Sequence, residues 1–375
     1  MGGGQRNPGP ARDCKRQLRP KWSLQAKDRF RGRIFSTHAA NLLRVVRRVN
    51  LEDRAAIMNQ LPHSQTAVPF FDEAEVQRVL HLEALIPAME RALRDFSAGR
   101  VLQPVRSIIS VPQYSAFMGL MPAVYGDIMG TKLVNLYPHN ATRGLPTHFA
   151  IIVLFRSETG EPLAVMDGRL ITELRTAAVS AVATRLLSPP NASRLAILGS
   201  GVQARAHIRA LGLVRRFEEI RIWSRNSQHA KLLADEIGGI ATSAEEAVHD
   251  ADVVVTVTNS PEPVLRGKWL KPGVLVNAVG AVGPTHRELD DDAMRGALIV
   301  DSRDAALLES GDALLAGANI YAELGELLAG AKPKPETEIT VFKSLGLAVE
   351  DLAAAKLVLD ALQKSYRNSE RIDVR

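Results

Sequence analysis

Leu195-Ala-Ile-Leu-Gly-Ser-Gly-Val-Gln-Ala204 constrains the fold of this chain more than any other segment. Leu195–Leu198 is a short apolar run, as expected of a parallel strand buried on both faces. It runs into Gly199-x-Gly201-x-x-Ala204 and then into a helical pattern from Val202 to Val214. Strand, glycine turn and helix in that order form a cradle for a dinucleotide pyrophosphate. Gly199 permits the tight turn, Gly201 lets the backbone approach the phosphates, and Ala204 lets helix and strand pack closely. The helix start presents free N–H groups and the positive end of its dipole to the anion. Ser200, Val202 and Gln203 complete the expected contacts of this turn.

The next strand bears on which nucleotide is bound. Glu219-Ile-Arg-Ile-Trp223 ends in Ser224-Arg225, 25 residues after Gly199. An acid near this position accepts from the ribose 2′-OH of NAD. Ser and Arg instead suit a 2′-phosphate, which Arg pairs with and an acid would repel. NADPH is the expected cofactor, with NADH as the alternative. Thr256-Val257-Thr258 and Val279, at two further strand ends, are expected to rim the crevice.

Strands are expected at 195–198, 219–223, 252–257, 274–279 and 298–301, with helices between them. The fold class is therefore α/β, a Rossmann-type doubly wound parallel sheet over 191–320. Ahead of it the pattern differs. Asp72 can cap a first helix, and a second runs from about Leu82 to Ser97. Short apolar strands then follow at 105–111, 116–121, 130–136, 149–155 and 162–167, and an alanine-rich helix spans Leu170–Leu187. After about residue 303 loops and helices are expected, ending in a helix over Val349–Leu362 that returns to this first part. Residues 66–190 and 321–375 thus read as one discontinuous α+β domain for substrate and dimerisation.

The net charge of +6 does not describe the folded part. Residues 1–65 hold 14 of the 47 Lys/Arg and 4 of the 41 Asp/Glu, leaving 33 basic and 37 acidic residues beyond them. A nucleic-acid partner is not supported. No apolar run reaches the length of a membrane span. A lone cysteine, Cys14, excludes an internal disulfide framework, and the nine histidines show no ligand spacing, so no metal is expected. A reducing, cytoplasmic setting fits. The basic, Gly/Pro/Arg-rich stretch 1–65 reads as a disordered extension. A mitochondrial presequence and an interaction arm remain alternatives for it.

A hydride-transfer enzyme needs a substrate anchor facing the cofactor. Arg106 follows Gln103-Pro-Val, Lys132 opens a strand in Gly-Thr-Lys-Leu-Val, and Arg175 lies near the start of the alanine-rich helix. Lys132 and Arg175 adjoin apolar sequence, where an unused charge costs several kcal/mol. A substrate carboxylate would pair them. On spacing alone each is also readable as a surface or snorkelling residue. His139, His148 and His286 read as solvated loop residues before catalytic ones. Asp312 reads as a helix cap before an acid.

These motifs together resemble the ornithine cyclodeaminase/mu-crystallin family, most closely its ketimine reductase (mu-crystallin) branch, over about residues 69–365. The resemblance is carried by Gln103-Pro-Val-Arg106, Thr131-Lys132, Ala164-Val-Met-Asp-Gly168, Arg175-Thr-Ala-Ala-Val-Ser-Ala181, Ile197–Ala204 and Arg221-Ile-Trp-Ser-Arg225. Further matches are Glu288-Leu-Asp-Asp291, Glu309-Ser-Gly-Asp312, Ala322-Glu-Leu-Gly-Glu326 and Val341-Phe-Lys-Ser-Leu-Gly346. It implies a homodimer, a substrate carboxylate held by Arg106, Lys132 and Arg175, and Val341–Gly346, with Lys343 and Ser344, beside the nicotinamide. Lys132 and Arg175 are the implied catalytic pair.

One departure separates the branches. Cyclodeaminases and the family's archaeal alanine dehydrogenases carry an essential Asp where this chain has Val282. Valine cannot take a proton, which deamination requires. Reduction of a preformed cyclic imine needs chiefly anchoring and orientation. The expected activity is therefore NADPH-dependent reduction of cyclic ketimine acids such as Δ1-pyrroline-2-carboxylate or Δ1-piperideine-2-carboxylate. The alternatives are an amino-acid dehydrogenase acting on alanine or an N-alkyl amino acid, a cyclodeaminase-type lyase, and an NADPH-dependent thyroid-hormone-binding protein like mu-crystallin.

Overall fold

Two sheets share one long helix, and the sequence of each element explains which layer it joins. The computed structural model describes residues 67–372, with side chains to residue 365. The basic extension with Cys14 lies outside the described residues.

The chain enters through β1 (Phe70–Phe71) and α1 (Glu73–Val79). Asp72 and Glu75 close a reciprocal capping box at the start of α1. Then come α2 (Leu82–Ser97), β2 (Val101–Leu102), β3 (Ser107–Val111), β4 (Ala116–Tyr125), β5 (Ile128–Leu136), β6 (His148–Arg156) and β7 (Pro162–Asp167). They form a seven-stranded sheet of order β1-β7-β6-β5-β4-β2, with β3 on β4. Only β1 pairs parallel. Alternation sorts its two faces: Ala150, Ile152 and Leu154 of β6 are buried, while Phe149 and Ile151 point outward at 42% and 45% exposure.

The central helix α3 (Arg169–Leu187) is buried on all sides from Leu174 to Thr184. Its alanines let elements approach from every direction, so it needs no polar face. Next follow β8 (Arg194–Leu198), α4 (Val202–Gly212), β9 (Glu219–Trp223), α5 (Ser227–Ile237), β10 (Ile240–Ala241), α6 (Ala244–Val248), β11 (Val253–Thr256), β12 (Val274–Ala278) and β13 (Ala297–Val300). The expected strands 195–198, 219–223, 252–257, 274–279 and 298–301 are therefore present within a residue or two at each end.

The expectation of only loops and helices after residue 303 is corrected. After α7 (Arg303–Glu309) and α8 (Gly311–Ala316) come β14 (Ile320–Glu323), α9 (Leu324–Leu328) and β15 (Ile339–Lys343). The second sheet is wholly parallel, of order β10-β9-β8-β11-β12-β15-β13-β14. β15 lies between β12 and β13, so the boundary drawn at 320/321 does not follow the sheets.

Strand residues alternate between two cores. Leu195, Ile197, Val253 and Val255 face the core shared with α3 and α4, while Ala196, Leu198, Val254 and Val276 face the other. Covering both faces is what makes these strands continuously apolar. The last helix, α10 (Ala348–Ile372), returns to pack on α2, α3, β4 and β5. No described helix is long and apolar enough to cross a membrane.

Candidate active site

At the carboxyl end of β8 the chain turns at Gly199, whose φ is +135°. A Cβ there would lie 2.9 Å from the Val257 carbonyl oxygen, so both conformation and space require glycine. Gly201 has open space above it and precedes α4 with no side-chain cap, leaving the first N–H groups of that helix unspent. Ala204 is fully buried. Val202 is exposed, and Oε1 of Gln203 is buried with no hydrogen-bond partner.

The Ser200 hydroxyl donates to Ser224 Oγ at 2.9 Å, tying the glycine turn to the end of β9. Arg225 is exposed, and no ion pair involves it among the described residues. Both residues are where the sequence places a 2′-phosphate contact.

The opposite wall of the crevice is braced by a residue quoted only as part of a motif, Glu288. Its buried carboxylate accepts from Thr256 Oγ1, from Thr258 N and Oγ1, and from Gly280 N and Ala281 N, at 2.6–3.2 Å. Thr256 and Thr258 thus turn their hydroxyls to Glu288 rather than to the crevice. Val279 is buried beside them. Lys343, expected among the cofactor contacts, is also corrected. Its fully buried ammonium donates to Ala281 O and Asp312 Oδ2, at 2.6 and 2.8 Å. Asp312 further accepts from Glu288 N and Leu289 N. It is neither the helix cap, which is Ser310, nor a free acid. Ser344 Oγ is buried without a partner.

The three cations do converge. Lys132 on β5 is 1% exposed, with Nζ 2.7 Å from Asp351 Oδ2 and 3.4 Å from Thr172 Oγ1. Burial pulls its pKa down to about 8, against the opposing pull of Asp351. Arg175 on α3 donates through Nε to Asp351 at 3.0 Å and through NH1 to Glu350 at 2.7 Å. Its guanidinium abuts Gly346, where φ is +81° and a Cβ would collide with NH1. Arg106 reaches the same turn, donating to the carbonyls of Leu345 and Gly346 at 2.7 Å each, and its Nε lies 3.0 Å from Glu309. Asp301 fastens the turn from behind by accepting from Leu345 N and Gly346 N. A cavity of about 120 Å³ opens beside Arg106, lined by Gln103, Met121, Glu309 and Gly346.

Of the histidines, His139 and His286 are exposed. His148 is half-buried, and burial beside Lys132 and Arg175 lowers its pKa to about 4, so it is neutral. Val282 is exposed on the loop after β12. The acids Asp301, Glu309, Glu350 and Asp351 were not foreseen. Glu350 and Asp351 look in sequence like an ordinary acidic first turn of a helix, a pattern that needs no ligand. No group of acids, histidines or cysteines among the described residues could hold a metal ion.

The cations, the glycine turn and the Val341–Gly346 strand and turn therefore meet at the carboxyl end of the parallel sheet, where open α/β sheets bind ligands. Known proteins are similar to this chain in sequence and in fold. The ketimine reductase mu-crystallin of Mus musculus is 50% identical over 305 residues, covering 79% of this chain and 97% of the mouse protein. The structure of Thermococcus litoralis Δ1-pyrroline-2-carboxylate reductase in complex with NADH and L-proline superposes with a TM-score of 0.76 at 35% identity, covering 80% of this chain and 98% of that one. An archaeal alanine dehydrogenase dimer with bound NAD gives 0.75 at 33%, covering 80% and 97%. The model of the ornithine cyclodeaminase/mu-crystallin family matches residues 68–366, and the chain belongs to that family.

Proposed function

We propose that the protein is an NADPH-dependent reductase of cyclic ketimine acids of the Δ1-pyrroline-2-carboxylate or Δ1-piperideine-2-carboxylate type. The observation that carries this reading is the convergence of Arg106 and Arg175 on the Gly346 turn, with Lys132 joined to Arg175 through Asp351, in a chain whose loop after β12 offers Val282 instead of an acid.

The parallel-sheet half would hold the dinucleotide. Gly199, Gly201 and the free N–H groups at the start of α4 suit a pyrophosphate, and Ser224 with Arg225 suits a 2′-phosphate. The buried, unpartnered Gln203 Oε1 and Ser344 Oγ are polar atoms that a bound dinucleotide can satisfy. NADPH, when bound, supplies the hydride.

The chain's own residues supply the rest. Arg175, with Lys132 and Arg106, holds the substrate carboxylate and so fixes the ring face presented to the hydride. Reduction of C=N also needs one proton at nitrogen. Lys132, its pKa depressed toward neutrality by burial, is the donor, and Asp351 keeps its ammonium in place. Val282 leaves the nitrogen without the base that ammonia loss requires, which ranks the lyase and alanine dehydrogenase readings below this one.

Loss of NADPH absorbance on adding either cyclic imine tests the assignment. Turnover of neither imine would refute it. The outward face of the first sheet, with Ile109, Phe149 and Ile151 each 42–50% exposed, suits burial against a second copy. A dimer mass is expected by light scattering, and a monomer at micromolar concentration would count against that role.

A further inference from the structure

The cations offered to a substrate are outnumbered before any substrate arrives. Arg106, Lys132 and Arg175 share their surroundings with four carboxylates. Asp351 contacts Lys132 and Arg175, Glu350 contacts Arg175, Glu309 contacts Arg106, and Asp301 lies behind the Gly346 turn. Five of these seven groups are fully or nearly fully buried, and the side chains of the other two, Arg106 and Glu309, are only 13% and 14% exposed. Bringing in a fifth carboxylate would add charge of the sign already in excess, at low dielectric. A proton must come with it.

The hydrogen bonds indicate where that proton goes. Asp351 is held by two cations. Asp301 accepts from three backbone N–H groups, those of Ser302, Leu345 and Gly346. Glu309 keeps Arg106 and is partly open to solvent. Glu350 has a single cation, Arg175 NH1 on Oε2, and one backbone N–H, that of Leu347, close to its carboxylate, while Oε1 is buried with no hydrogen-bond partner. Arg175 is also the cation that an incoming carboxylate draws on.

We propose that Glu350 takes up a proton when the substrate carboxylate binds, so that its share of Arg175 passes to the ligand without leaving a bare buried charge. This rests on the reading that Arg175 and Lys132 hold that carboxylate. The groups facing Glu350 are Arg175 from α3, Asp351 on its own helix and Asp301 at the end of β13. Lys132, Arg106 and Glu309 lie beyond them. Burial raises the Glu350 pKa to about 7, Asp301 and Asp351 push the same way, and Arg175 opposes them. Sharing Arg175 weakens the opposing pull, so the pKa rises further in the complex. Above pH 7 the free site is then ionised and the occupied one protonated, and binding takes up a proton. Below pH 7 Glu350 is already protonated and affinity is flat.

The test is calorimetric titration of NADPH-saturated protein with pyrrole-2-carboxylate, a flat ring carboxylate whose nitrogen does not titrate in this range. Two buffers of different ionisation enthalpy at each pH give the proton count. About 0.7 of a proton per probe is expected at pH 7.5 and close to none at pH 6, with affinity weakening toward tenfold per pH unit above 7. Glu350→Gln mimics the protonated acid, so its uptake at pH 7.5 should fall to the remainder that Lys132 can take, no more than about 0.2 of a proton, and its affinity should change far less with pH. Lys132 titrates nearby, and Lys132→Arg, a cation that stays charged, should keep the uptake. Binding without uptake in the wild type, undiminished uptake in Glu350→Gln, or uptake lost in Lys132→Arg would each overturn the proposal. All three leave the carboxylate site itself standing. No binding of the probe, or binding unaffected by Arg175→Ala, would remove the site reading and this proposal with it.

Discussion

Arg175→Ala is expected to lower kcat/KM for the cyclic imine about 10³-fold while leaving the Kd for NADPH within about twofold. Two effects add. The substrate loses a planar, charge-assisted partner that no neighbour replaces, since Lys132 offers only a point charge. The protein also loses the cation between Glu350 and Asp351, and breaking a buried pair costs roughly 3–5 kcal/mol because the remaining charges stay behind. One of those acids then protonates, or turns to Lys132 and takes up the ammonium meant for the substrate. Arg175→Lys should fall between, since it restores the charge but not the two-pronged geometry. Steady-state kinetics with each imine, beside a fluorescence titration with NADPH, separates the two sites. Equal losses in imine use and in NADPH affinity would show that Arg175 supports the whole fold rather than the substrate. The guanidinium abuts Gly346, so such losses would trace to the turn that it supports.

Much of this arrangement is legible in the chain, and what is not has definite causes. The glycine turn announces itself because three constraints coincide on adjacent residues: an apolar strand, a positive φ and an uncapped helix start. The helix Leu82–Ser97 is found because its apolar positions recur at helical spacing up to the Gly99 stop. β15 is missed because Ile-Thr-Val-Phe-Lys is a five-residue apolar run after Lys332-Pro-Lys-Pro-Glu-Thr-Glu338, and periodicity alone does not separate such a run from loop or helix. Its neighbours β12 and β13 are distant in sequence, so only the assembled sheet reveals its place.

The site divides the same way. Arg106, Lys132 and Arg175 stand out as charges beside apolar sequence, a local signal. Glu350 and Asp351 carry no such signal, because acids near a helix start are stabilised by the dipole wherever they occur. Their burial is a property of how α10 lies on α3 and β5. Glu288 is hidden for a related reason: its partners are backbone N–H groups and hydroxyls from two other segments, and no spacing in one sequence encodes that. Lys343 is the reverse case. A resemblance assigned it to the cofactor, and its burial against Asp312 assigns it to holding the Ala281 loop instead.

Arg225→Asp is expected to weaken NADPH binding about 10²- to 10³-fold and to leave NADH binding unchanged or slightly better. Arg225 is exposed at the end of β9, so it neither holds the fold nor competes with an internal acid. A hydrogen bond to a charged group contributes about 1.5–3 kcal/mol, and reversing the charge adds repulsion of the 2′-phosphate to that loss. At about 1.4 kcal/mol per tenfold, the sum falls in the stated range. NADH has a hydroxyl there, which the new carboxylate can accept from. Ser224 is positioned independently, by its hydrogen bond from Ser200, so the turn itself should survive the change. Titrations of both cofactors into wild type and variant decide the matter. If both affinities fall equally, Arg225 does not meet the 2′-phosphate, and cofactor preference must be set elsewhere in the crevice.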